Sequence, residues 1–331
     1  MENKFLFLSD NDVRSIIGDN LEFCISTIEK SFMVMTYGKT LQPDKVSQII
    51  DEKSQNRINC LPSTIYDIET SGTKRVSVFP TNKAIGLRNV EGFTILSDTT
   101  NGKLKCLMNS TLATSIRTAS VGAIAAKYLA KKDSTTIGFI GAGEEAKEHF
   151  KLVKAVRPSI NKCLFSSRTE KRIQNLIDEL AVEYRDVKFI NCANDYEIAM
   201  VNSDIIVTAI SSQQKVLKGE WIRDGMLYIH VAGLEDEFSV AEKADKIVCD
   251  QWESVKHRTQ TISQMYNKGI IKDEDIYADL GEIISGEKKA REDDREFIYF
   301  NSVGLSVEDV YLANEIYNIA VSNNIGTWIN K

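Results

Sequence analysis

Several features are scarce or missing in this chain of 331 residues, and each absence excludes a class of protein. No apolar run reaches the roughly 18 residues that a membrane-spanning helix requires. The six cysteines are scattered without a CxxC pair, which argues against a metal site or a disulfide framework and predicts reduced, packed thiols. The net charge of −6 provides no basic field for nucleic acid or a membrane surface.

Prolines, low-complexity segments and repeats are also rare, since only four prolines occur and no segment is repeated. The N-terminal MENKFLFLSDNDV carries acids where a signal peptide needs a basic region, so we expect a cytoplasmic protein. The three histidines show no metal-ligand spacing, and no metal is predicted. What is present, 43% hydrophobic residues, is ample for the core of an enzyme-sized α/β protein.

The middle of the chain alternates short β-rich runs with amphipathic helical patterns. The β-rich runs are TTIGFIG (135–141), NKCLFSS (161–167), DVKFINC (186–192), DIIVTAI (204–210), MLYIHVAG (226–233) and KIVCD (246–250). Continuous apolar strands separated by amphipathic helices indicate a parallel sheet that is covered on both faces. We therefore predict a doubly wound α/β unit over about residues 130–302.

The two flanks have a different pattern. Residues 1–113 contain a predicted helix over about 20–37 and the β-type segments RINCLPST, KRVSVFP and GFTILSDTTNGKLKCLMN, the last with a hairpin turn signal at DTTNGK. A helix over 111–132 follows. The C-terminal SVEDVYLANEIYNIAVSNN predicts another helix, with Ser306 as its N-cap and acids in its first turn.

A glycine motif opens the central unit, where Gly141-x-Gly143-x-x-Ala146 follows a strand and begins a helix. Gly141 permits a tight turn, Gly143 lets the backbone approach a pyrophosphate, and Ala146 allows the helix to pack closely on the strand. The free N–H groups at the start of the helix would hold the pyrophosphate. The motif predicts a dinucleotide site, and the alternative is a glycine-rich turn that binds nothing.

The end of the second strand indicates which dinucleotide binds. An NAD site would place Asp or Glu there to bind the ribose 2′-hydroxyl. This chain instead has Ser166 and Ser167, followed by Arg168 and Thr169. Hydroxyls and a guanidinium would bind a 2′-phosphate, so we predict NADP, with NAD as the alternative. Arg168 could instead cap a solvated helix start.

Three cations lie in otherwise apolar stretches outside the central unit: Arg57, Lys74 and Arg117. A buried cation is costly unless it meets an anion, so each is a candidate ligand for a substrate carboxylate, or for a cofactor phosphate in the case of Arg117. An internal salt bridge explains them equally simply. His230, at a strand end, could likewise face the cofactor or be a hydrogen-bonded core histidine.

The order of TKRVSVFP, GFTILSD, SIRTASVGAIAAKYLA, GFIGAGEEA and REFIYFNSVGLSVED resembles the ornithine cyclodeaminase/μ-crystallin family over essentially the whole chain. The resemblance implies a Rossmann-type doubly wound domain (130–302) inserted in a discontinuous α+β domain (1–129 plus 303–331) for substrate binding and dimerisation. The C-terminal segments look most like the N-(2-amino-2-carboxyethyl)-L-glutamate dehydrogenases of 2,3-diaminopropionate biosynthesis in siderophore and antibiotic pathways.

The resemblance also implies roles for individual residues. Lys74 and Arg117 match family residues that contact the substrate carboxylate, and Asn89 falls where ornithine cyclodeaminases have Thr. The implied cofactor-binding set is Gly141, Ala142, Gly143, Glu144, Ala146, Ser167, Arg168, Thr169, Thr208, Ala209, Ile210, Ser302, Val303 and Gly304.

Two positions depart from the family pattern. Where ornithine cyclodeaminases carry an essential Asp, this chain reads VAGLEDEF, which places Glu235 there with Asp236 beside it. Either carboxylate would take the amine proton and activate water. The alternative is that both residues lie in an acidic loop exposed to solvent and have no catalytic role. The second departure is the SSRT sequence, since the diaminopropionate enzymes are expected to use NAD.

The function predicted from these observations is NAD(P)-dependent oxidation of a CH–NH bond. The leading substrate is N-(2-amino-2-carboxyethyl)-L-glutamate, whose imine hydrolyses to diaminopropionate and 2-oxoglutarate. The alternatives are an NADPH-dependent ketimine or imino-acid reductase, an ornithine cyclodeaminase-type ammonia lyase, and a cofactor binder without activity. The expected partners are a small amino or imino acid and a second copy of the chain in a homodimer, with no nucleic acid or membrane.

Overall fold

A computed structural model describes residues 4–18, 20–210, 212, 214–231 and 233–330 of the chain. The chain separates into two compact units. Unit 1 comprises the residues up to Arg117 together with those from Leu305 onward, and unit 2 comprises Thr118–Gly304. The boundaries expected from the sequence, 129/130 and 302/303, fall at other residues than these.

The sheet of unit 1 is mixed, and its strand order is β16-β1-β7-β6-β5-β4-β2, with β3 also paired to β4. All of its pairs are antiparallel except β1 with β7. The pairing of β6 with β7 confirms the predicted hairpin. The strands are β1 (Lys4–Leu8), β2 (Thr40–Leu41), β3 (Val46–Asp51), β4 (Asn56–Ile65), β5 (Thr70–Val78), β6 (Val90–Asp98), β7 (Leu104–Asn109) and β16 (Thr327–Asn330).

One face of this sheet is covered by helices. The helices of unit 1 are α1 (Asp10–Ile17), α2 (Leu21–Thr36), the first part of α3 (Thr111–Leu129) and α11 (Ser306–Ser322), of which α1 and α11 contact the strands. Helix α11 packs on β4, β5, β6 and α2, so its buried first turn lies over the strands. The predicted N-cap was wrong by one residue: the cap position is Leu305, and the Ser306 hydroxyl donates to Pro62 O (2.8 Å) instead.

The sheet of unit 2 is entirely parallel, with the order β10-β9-β8-β11-β12-β15-β13-β14. The strands are β8 (Thr136–Ile140), β9 (Lys162–Ser166), β10 (Lys188–Asn191), β11 (Ile205–Thr208), β12 (Leu227–His230), β13 (Lys246–Cys249), β14 (Ala278–Asp279) and β15 (Ile298–Asn301). The chain builds outward from β8 in one direction and then from β11 in the other. This doubly wound pattern confirms the predicted fold class and creates a switch point between β8 and β11.

The helices of unit 2 follow the strands as the sequence pattern indicated. They are the remainder of α3, then α4 (Glu144–Val156), α5 (Glu170–Glu183), α6 (Tyr196–Val201), α7 (Phe238–Glu242), α8 (Trp252–Val255), α9 (Thr261–Asn267) and α10 (Leu280–Ser285). Strands β8, β9, β11, β12, β13 and β15 are almost wholly buried, as expected for a sheet with helices on both faces.

The cysteines agree with their predicted state, because all six are free and five are buried. No helix in the described part of the chain combines the length and apolar character needed to cross a membrane.

Candidate active site

The carboxyl ends of the central strands of unit 2 lie side by side. The strand register aligns Ile140 with Thr208, Thr208 with His230, and His230 with Asn301. In an open parallel sheet, ligands bind beyond this edge and at the switch point between the two halves. The loops that leave these four strands are therefore the part of unit 2 in which to look for a site.

The glycine motif forms the turn from β8 into α4. Gly141 has a φ of +119°, which disfavours side chains, and an added Cβ would lie 3.1 Å from Ala209 O. Gly143 occupies the N-cap position, with no side-chain cap, and a Cβ built there meets no atom within 4 Å. Glu144 is exposed in the first helical turn, whereas Ala146 is buried against the strand and Ala142 is half-buried. The turn therefore leaves open space beside an uncapped helix start, which suits a pyrophosphate.

The two serines after β9 have different environments. Ser166 is buried, and its hydroxyl donates to Ala193 O (3.0 Å), so it is committed to the fold. Ser167 is half-buried, and Arg168 and Thr169 are exposed at the start of α5. Thr169 is the N-cap residue but forms no side-chain cap hydrogen bond. Ser167, Arg168 and Thr169 thus present polar groups beyond the strand end, while Ser166 does not.

The SVG turn after β15 is held by a carboxylate that the sequence analysis did not single out. Asp250, at the end of β13, accepts hydrogen bonds from Val303 N (2.7 Å), Gly304 N (2.9 Å) and the Ser302 hydroxyl (3.1 Å). The Ser302 N–H donates to His230 O (2.9 Å), which ties the turn to β12. At the end of β11, Thr208 is buried and Ala209 and Ile210 are half-buried.

The two candidate carboxylates after β12 are fully buried, and they differ in their partners. Asp236 accepts hydrogen bonds from the hydroxyls of Thr261 and Tyr299 (2.8 Å for Tyr299), one on each oxygen. Neither oxygen of Glu235 has a hydrogen-bond partner among the described residues. The solvated-loop alternative was therefore wrong for both residues, and Glu235 is the carboxylate that retains free hydrogen-bonding capacity.

His230 faces both carboxylates. Its Nε2 lies 3.4 Å from Glu235 Oε1 and 3.5 Å from Asp236 Oδ1, and its Nδ1 lies 2.7 Å from Asn301 Oδ1. Burial acts to lower the pKa of His230, but the neighbouring Asp236 and Glu235 charges and the Asn301 contact outweigh it and raise that pKa to about 9. A protonated imidazole at this position would offset part of the negative charge of the pair.

Unit 1 contains a second buried ion cluster. The Lys74 ammonium donates to Asp309 Oδ1 (2.7 Å), and Arg117 pairs with Asp309 Oδ1 (2.9 Å) and Glu308 Oε2 (3.2 Å). Burial, with Arg117 close by, lowers the pKa of Lys74 to about 8 despite Asp309. Both predicted cations are therefore engaged in internal salt bridges, the alternative that the sequence left open.

The ammonium of Lys74 nevertheless retains unused donors. It is 1% exposed and carries three N–H groups, of which one is used by Asp309 and the others have no acceptor among the described residues. On the same sheet face, two positions away across β4, the Asn59 Oδ1 is also buried without a partner in the described chain. Such orphaned polar atoms are uncommon and suit a polar ligand.

The other two predicted substrate ligands lie elsewhere in unit 1. Arg57 lies on the same sheet face as Lys74, but four residues along β4 from the position opposite Lys74, and it donates to Gln55 O (3.0 Å). Asn89 is exposed just before β6, near the end of the sheet where Arg57 lies. The structure therefore places Lys74 with Arg117 and separates this pair from Arg57 and Asn89.

Several polar residues of these clusters were missed from the sequence. Glu308 and Asp309 were assigned only to the first turn of a helix, and Asp250 was only the end of an apolar strand. Thr261, Asn301 and Gln260 gave no local motif. The one usable signal was an acid directly after a fully apolar run, as in KIVCD, since a carboxylate there must find donors. Within the described residues, no three His, Cys, Asp or Glu side chains are grouped as metal ligands.

The fold and the glycine turn together are those of the dinucleotide-binding α/β class of proteins. The parallel doubly wound sheet has a glycine turn after β8, at its switch point, and a buried carboxylate, Glu235, in the loop after β12. The chain belongs to the ornithine cyclodeaminase/mu-crystallin family, whose model matches residues 6–324.

Relatives in this family span almost the whole chain. A Thermococcus litoralis Δ1-pyrroline-2-carboxylate reductase, solved with NADH and L-proline, is 32% identical with a TM-score of 0.91, over 98% of this chain and 99% of that one. An archaeal alanine dehydrogenase dimer with bound NAD is 32% identical with a TM-score of 0.89, over the same shares. The N-((2S)-2-amino-2-carboxyethyl)-L-glutamate dehydrogenase of Staphylococcus aureus is 27% identical, over 100% of this chain and 99% of that one.

These comparisons confirm the family, the fold class and the enzyme class predicted from the sequence. The protein is an NAD(P)-dependent oxidoreductase.

Proposed function

We propose that the protein interconverts an amino acid and its imine at the substrate α-carbon, with Glu235 as the acid–base group. The observation that supports this most strongly is the Glu235 carboxylate itself, buried without a hydrogen bond beyond β12, a near neighbour of the strand that carries the open glycine turn. A buried ionisable group without a hydrogen bond, in a loop at the edge of a parallel sheet where ligands usually bind, is a strong candidate for a functional role.

The residues present fit a dinucleotide. The uncapped start of α4 and the open space at Gly143 would hold the pyrophosphate, and the turns at Thr208–Ile210 and Ser302–Gly304 would lie against the rest of the cofactor. A bound nicotinamide would supply the acceptor or donor of the hydride for the substrate α-carbon.

Glu235 would carry the proton that accompanies this exchange. In oxidation, the Cα–H bond breaks with its electron pair and a C=N bond forms, which requires that the amine nitrogen first lose a proton. The Glu235 carboxylate accepts that proton, and a water molecule then splits the imine into an amine and a 2-oxo acid. In reduction, the protonated carboxyl returns the proton to nitrogen.

Lys74 and Arg117 would bind the substrate carboxylate. Two N–H groups of the Lys74 ammonium remain for an anion, and the Asn59 side chain adds a buried polar atom on the same sheet face. Asp309 would then keep both cations in place between turnovers. Arg57 would assist only a substrate long enough to reach the far end of β4.

The substrate we favour is N-(2-amino-2-carboxyethyl)-L-glutamate, because the Staphylococcus aureus enzyme named for it matches the whole chain. The C-terminal segments also resemble those of enzymes that act on this substrate. The test is to incubate the protein with this conjugate and oxidised cofactor. We expect reduced nicotinamide, measured by its absorbance, together with diaminopropionate and 2-oxoglutarate in equal amounts. Reduced cofactor without these products, or no reaction, would contradict the substrate assignment.

A second candidate is the reduction of a cyclic imino acid. It is favoured by the Thermococcus litoralis reductase, which is more similar in sequence than the Staphylococcus enzyme. The same assay run with Δ1-pyrroline-2-carboxylate and reduced cofactor separates the two, since consumption of the reduced cofactor and formation of proline are expected only for the reductase.

For the cofactor we propose a preference for NADP over NAD. Ser167, Arg168 and Thr169 provide hydroxyls and a guanidinium beyond β9, where an NAD site would carry an acid. The relatives solved with NADH or NAD make this a sharp test. We expect a lower KM for NADP than for NAD, and an Arg168→Asp variant that reverses the order. An unchanged order would exclude Arg168 from binding the 2′-phosphate.

We further propose that the protein forms a homodimer through the sheet of unit 1. The face opposite Lys74 carries exposed apolar side chains, including Val46 at 59% and Ile95 at 43% exposure. A patch of this kind is typical of an interface. Light scattering after gel filtration should give twice the chain mass, and an Ile95→Arg variant should shift it toward the monomer.

A further inference from the structure

The geometry points to a further functional residue: His230 is a positioning residue that shares a proton with Glu235 and keeps the Glu235 carboxylate ionised until it accepts the substrate proton. This inference rests on the acid–base role proposed for Glu235 and adds the group that controls it. It also explains why a carboxylate can remain charged while fully buried, which is otherwise costly.

Two side chains, those of Gln260 and Asn301, fix the orientation of the His230 ring. The Gln260 amide donates to Ser302 O (3.1 Å), so its oxygen is the atom that accepts from Asn301 Nδ2 (2.8 Å). The Asn301 oxygen must then face His230 Nδ1, at 2.7 Å. Since an amide oxygen only accepts, Nδ1 must carry a hydrogen. The ring therefore turns its other nitrogen, Nε2, toward the two carboxylates.

The second nitrogen decides the charge of the group. A neutral imidazole with a hydrogen on Nδ1 would present a lone pair at Nε2 to two carboxylates, 3.4 and 3.5 Å away, which is repulsive. Asp236 already accepts two hydroxyl hydrogen bonds, which stabilise its charged form. The proton in question is therefore shared between His230 Nε2 and Glu235, whose oxygens have no other donor among the described residues.

The other titratable groups around the His230 ring do not supply the proton that His230 and Glu235 share. The titratable or charged side chains that face it are Tyr228 of β12, Tyr299 of β15, and Glu235 and Asp236 of the following loop, with Lys215 acting on Asp236. Both tyrosines are buried with their pKa values raised well above the ordinary value, so they stay neutral. The imidazolium is thus the one cation within 4 Å of Glu235 in the described part of unit 2.

The arrangement gives a defined charge sequence during catalysis. Before reaction, the imidazolium faces two carboxylates. After Glu235 has accepted the amine proton, the imidazolium still faces ionised Asp236. The His230–Asp236 pair then carries no net charge while a positive iminium forms on the substrate. His230 thus controls the charge of Glu235, and it need not contact the substrate.

The first test does not depend on activity. With three histidines in the chain, the imidazole nitrogen signals of labelled protein can be assigned by substitution, and exposed His257 provides a reference. We expect both nitrogens of His230 to be protonated at neutral pH. A Glu235→Gln variant should lower the pH at which the ring loses its proton by at least about one unit, because one of two neighbouring anions is lost. A neutral His230 in the wild-type protein, or an unmoved midpoint, would overturn the inference.

The second test uses the pH profile of turnover. His230→Asn keeps a donor for Asn301, and His230→Gln keeps an uncharged N–H toward the carboxylates. In either variant Glu235 loses its cationic neighbour, so we expect the acid limb of the profile to move to higher pH by about one unit or more. A purely structural histidine would lower the rate equally at every pH. His257→Gln, at an exposed site, should change neither profile nor rate.

The two tests separate the possible failures. If the nitrogen signals behave as expected but no amino or imino acid is turned over, the shared proton of His230 and Glu235 is supported and the proposed function is contradicted. If turnover occurs but the acid limb does not move, Glu235 acts without His230. Should both substituted proteins fail to fold, the titration of the wild-type and Glu235→Gln proteins still decides the point.

Discussion

The two buried ion clusters of the molecule differ in how completely their charges are paired. In unit 1, two cations meet two anions, and Asp309 bridges Lys74 and Arg117 with one oxygen. In unit 2, one histidine faces two carboxylates, and Glu235 has no hydrogen bond at all within the described residues. A balanced cluster can be explained by the fold alone, whereas an unbalanced one retains a charge that only a proton or a ligand can satisfy.

The largest expected effect breaks the unbalanced cluster. Glu235→Gln keeps the shape of the side chain but removes its ability to accept a proton, so we expect kcat to fall by about 10²- to 10⁴-fold. Turnover of the preferred substrate, followed by nicotinamide absorbance, measures the change.

The matched control for this variant is Glu237→Gln. Glu237 lies in the same loop, but it is half-buried and receives a hydrogen bond from Ser239 (3.1 Å). Its substitution should leave kcat within about twofold of wild type, as for a surface change. A Glu235→Gln enzyme with full activity would remove the residue from the mechanism.

Stability should show the opposite order. Asp309→Asn removes the anion that Lys74 and Arg117 share and leaves buried cations underpaired, which should lower the free energy of unfolding by about 3–5 kcal/mol. Glu235→Gln removes one of the two carboxylates beside His230 but leaves Asp236 to pair with the imidazolium, so we expect a smaller loss. Chemical denaturation of both variants under identical conditions makes the comparison, and equal losses would show that the two clusters are not different in kind.

The fold could be predicted from the sequence because local patterns determine it. Apolar runs between amphipathic helices, and a glycine turn after the first of them, determine the parallel sheet and its switch point. Sequence reasoning also identified Lys74 and Arg117 as buried or functional, because a charge in an apolar stretch can be recognised from the sequence alone. Glu235 was identified through the resemblance to the ornithine cyclodeaminases.

The partners of these charges could not be read in the same way. Asp309 lies 235 residues from Lys74, and Asn301 lies 71 residues from His230. Such pairs meet only through packing of distant elements, here α11 on β5 and β12 beside β15. The sequence therefore left salt bridge and substrate binding open for Lys74, since both satisfy the same buried ammonium.

A smaller effect tests whether Lys74 also serves a ligand. Its pKa is lowered to about 8, so the ammonium is progressively lost as the pH rises above that value. If this cation binds the substrate carboxylate, affinity for 2-oxoglutarate, which has no hydride to donate, should fall about tenfold for each pH unit above the pKa. Affinity falls as the pH rises because the charged ammonium of Lys74 is the form that binds the carboxylate.

Calorimetric titration with 2-oxoglutarate across this range measures the affinity. The Glu235→Gln protein is the control and should show a midpoint within the same range, because the group that titrates in this experiment is Lys74, which the variant retains. An affinity that is flat through the pKa of Lys74 would leave that residue with a purely internal role.

The smallest expected effect comes from a comparison of two glycines in one turn, one needed for the fold and one beside the open space for a ligand. Gly141 has a positive φ and close neighbours, so Gly141→Ala should cost folding stability, roughly 1–3 kcal/mol. Gly143 has an ordinary φ of −112° and open space around a built Cβ, so Gly143→Ala should leave the melting temperature unchanged. Its Cβ would instead occupy the space left for the pyrophosphate and weaken cofactor binding about fivefold, or about 1 kcal/mol. Fluorescence titration with reduced cofactor, beside a melting curve, measures both quantities. If Gly143→Ala binds the cofactor as tightly as wild type, the open space beside α4 is not where the dinucleotide lies. The two glycines would then not differ in the way that the two ion clusters do.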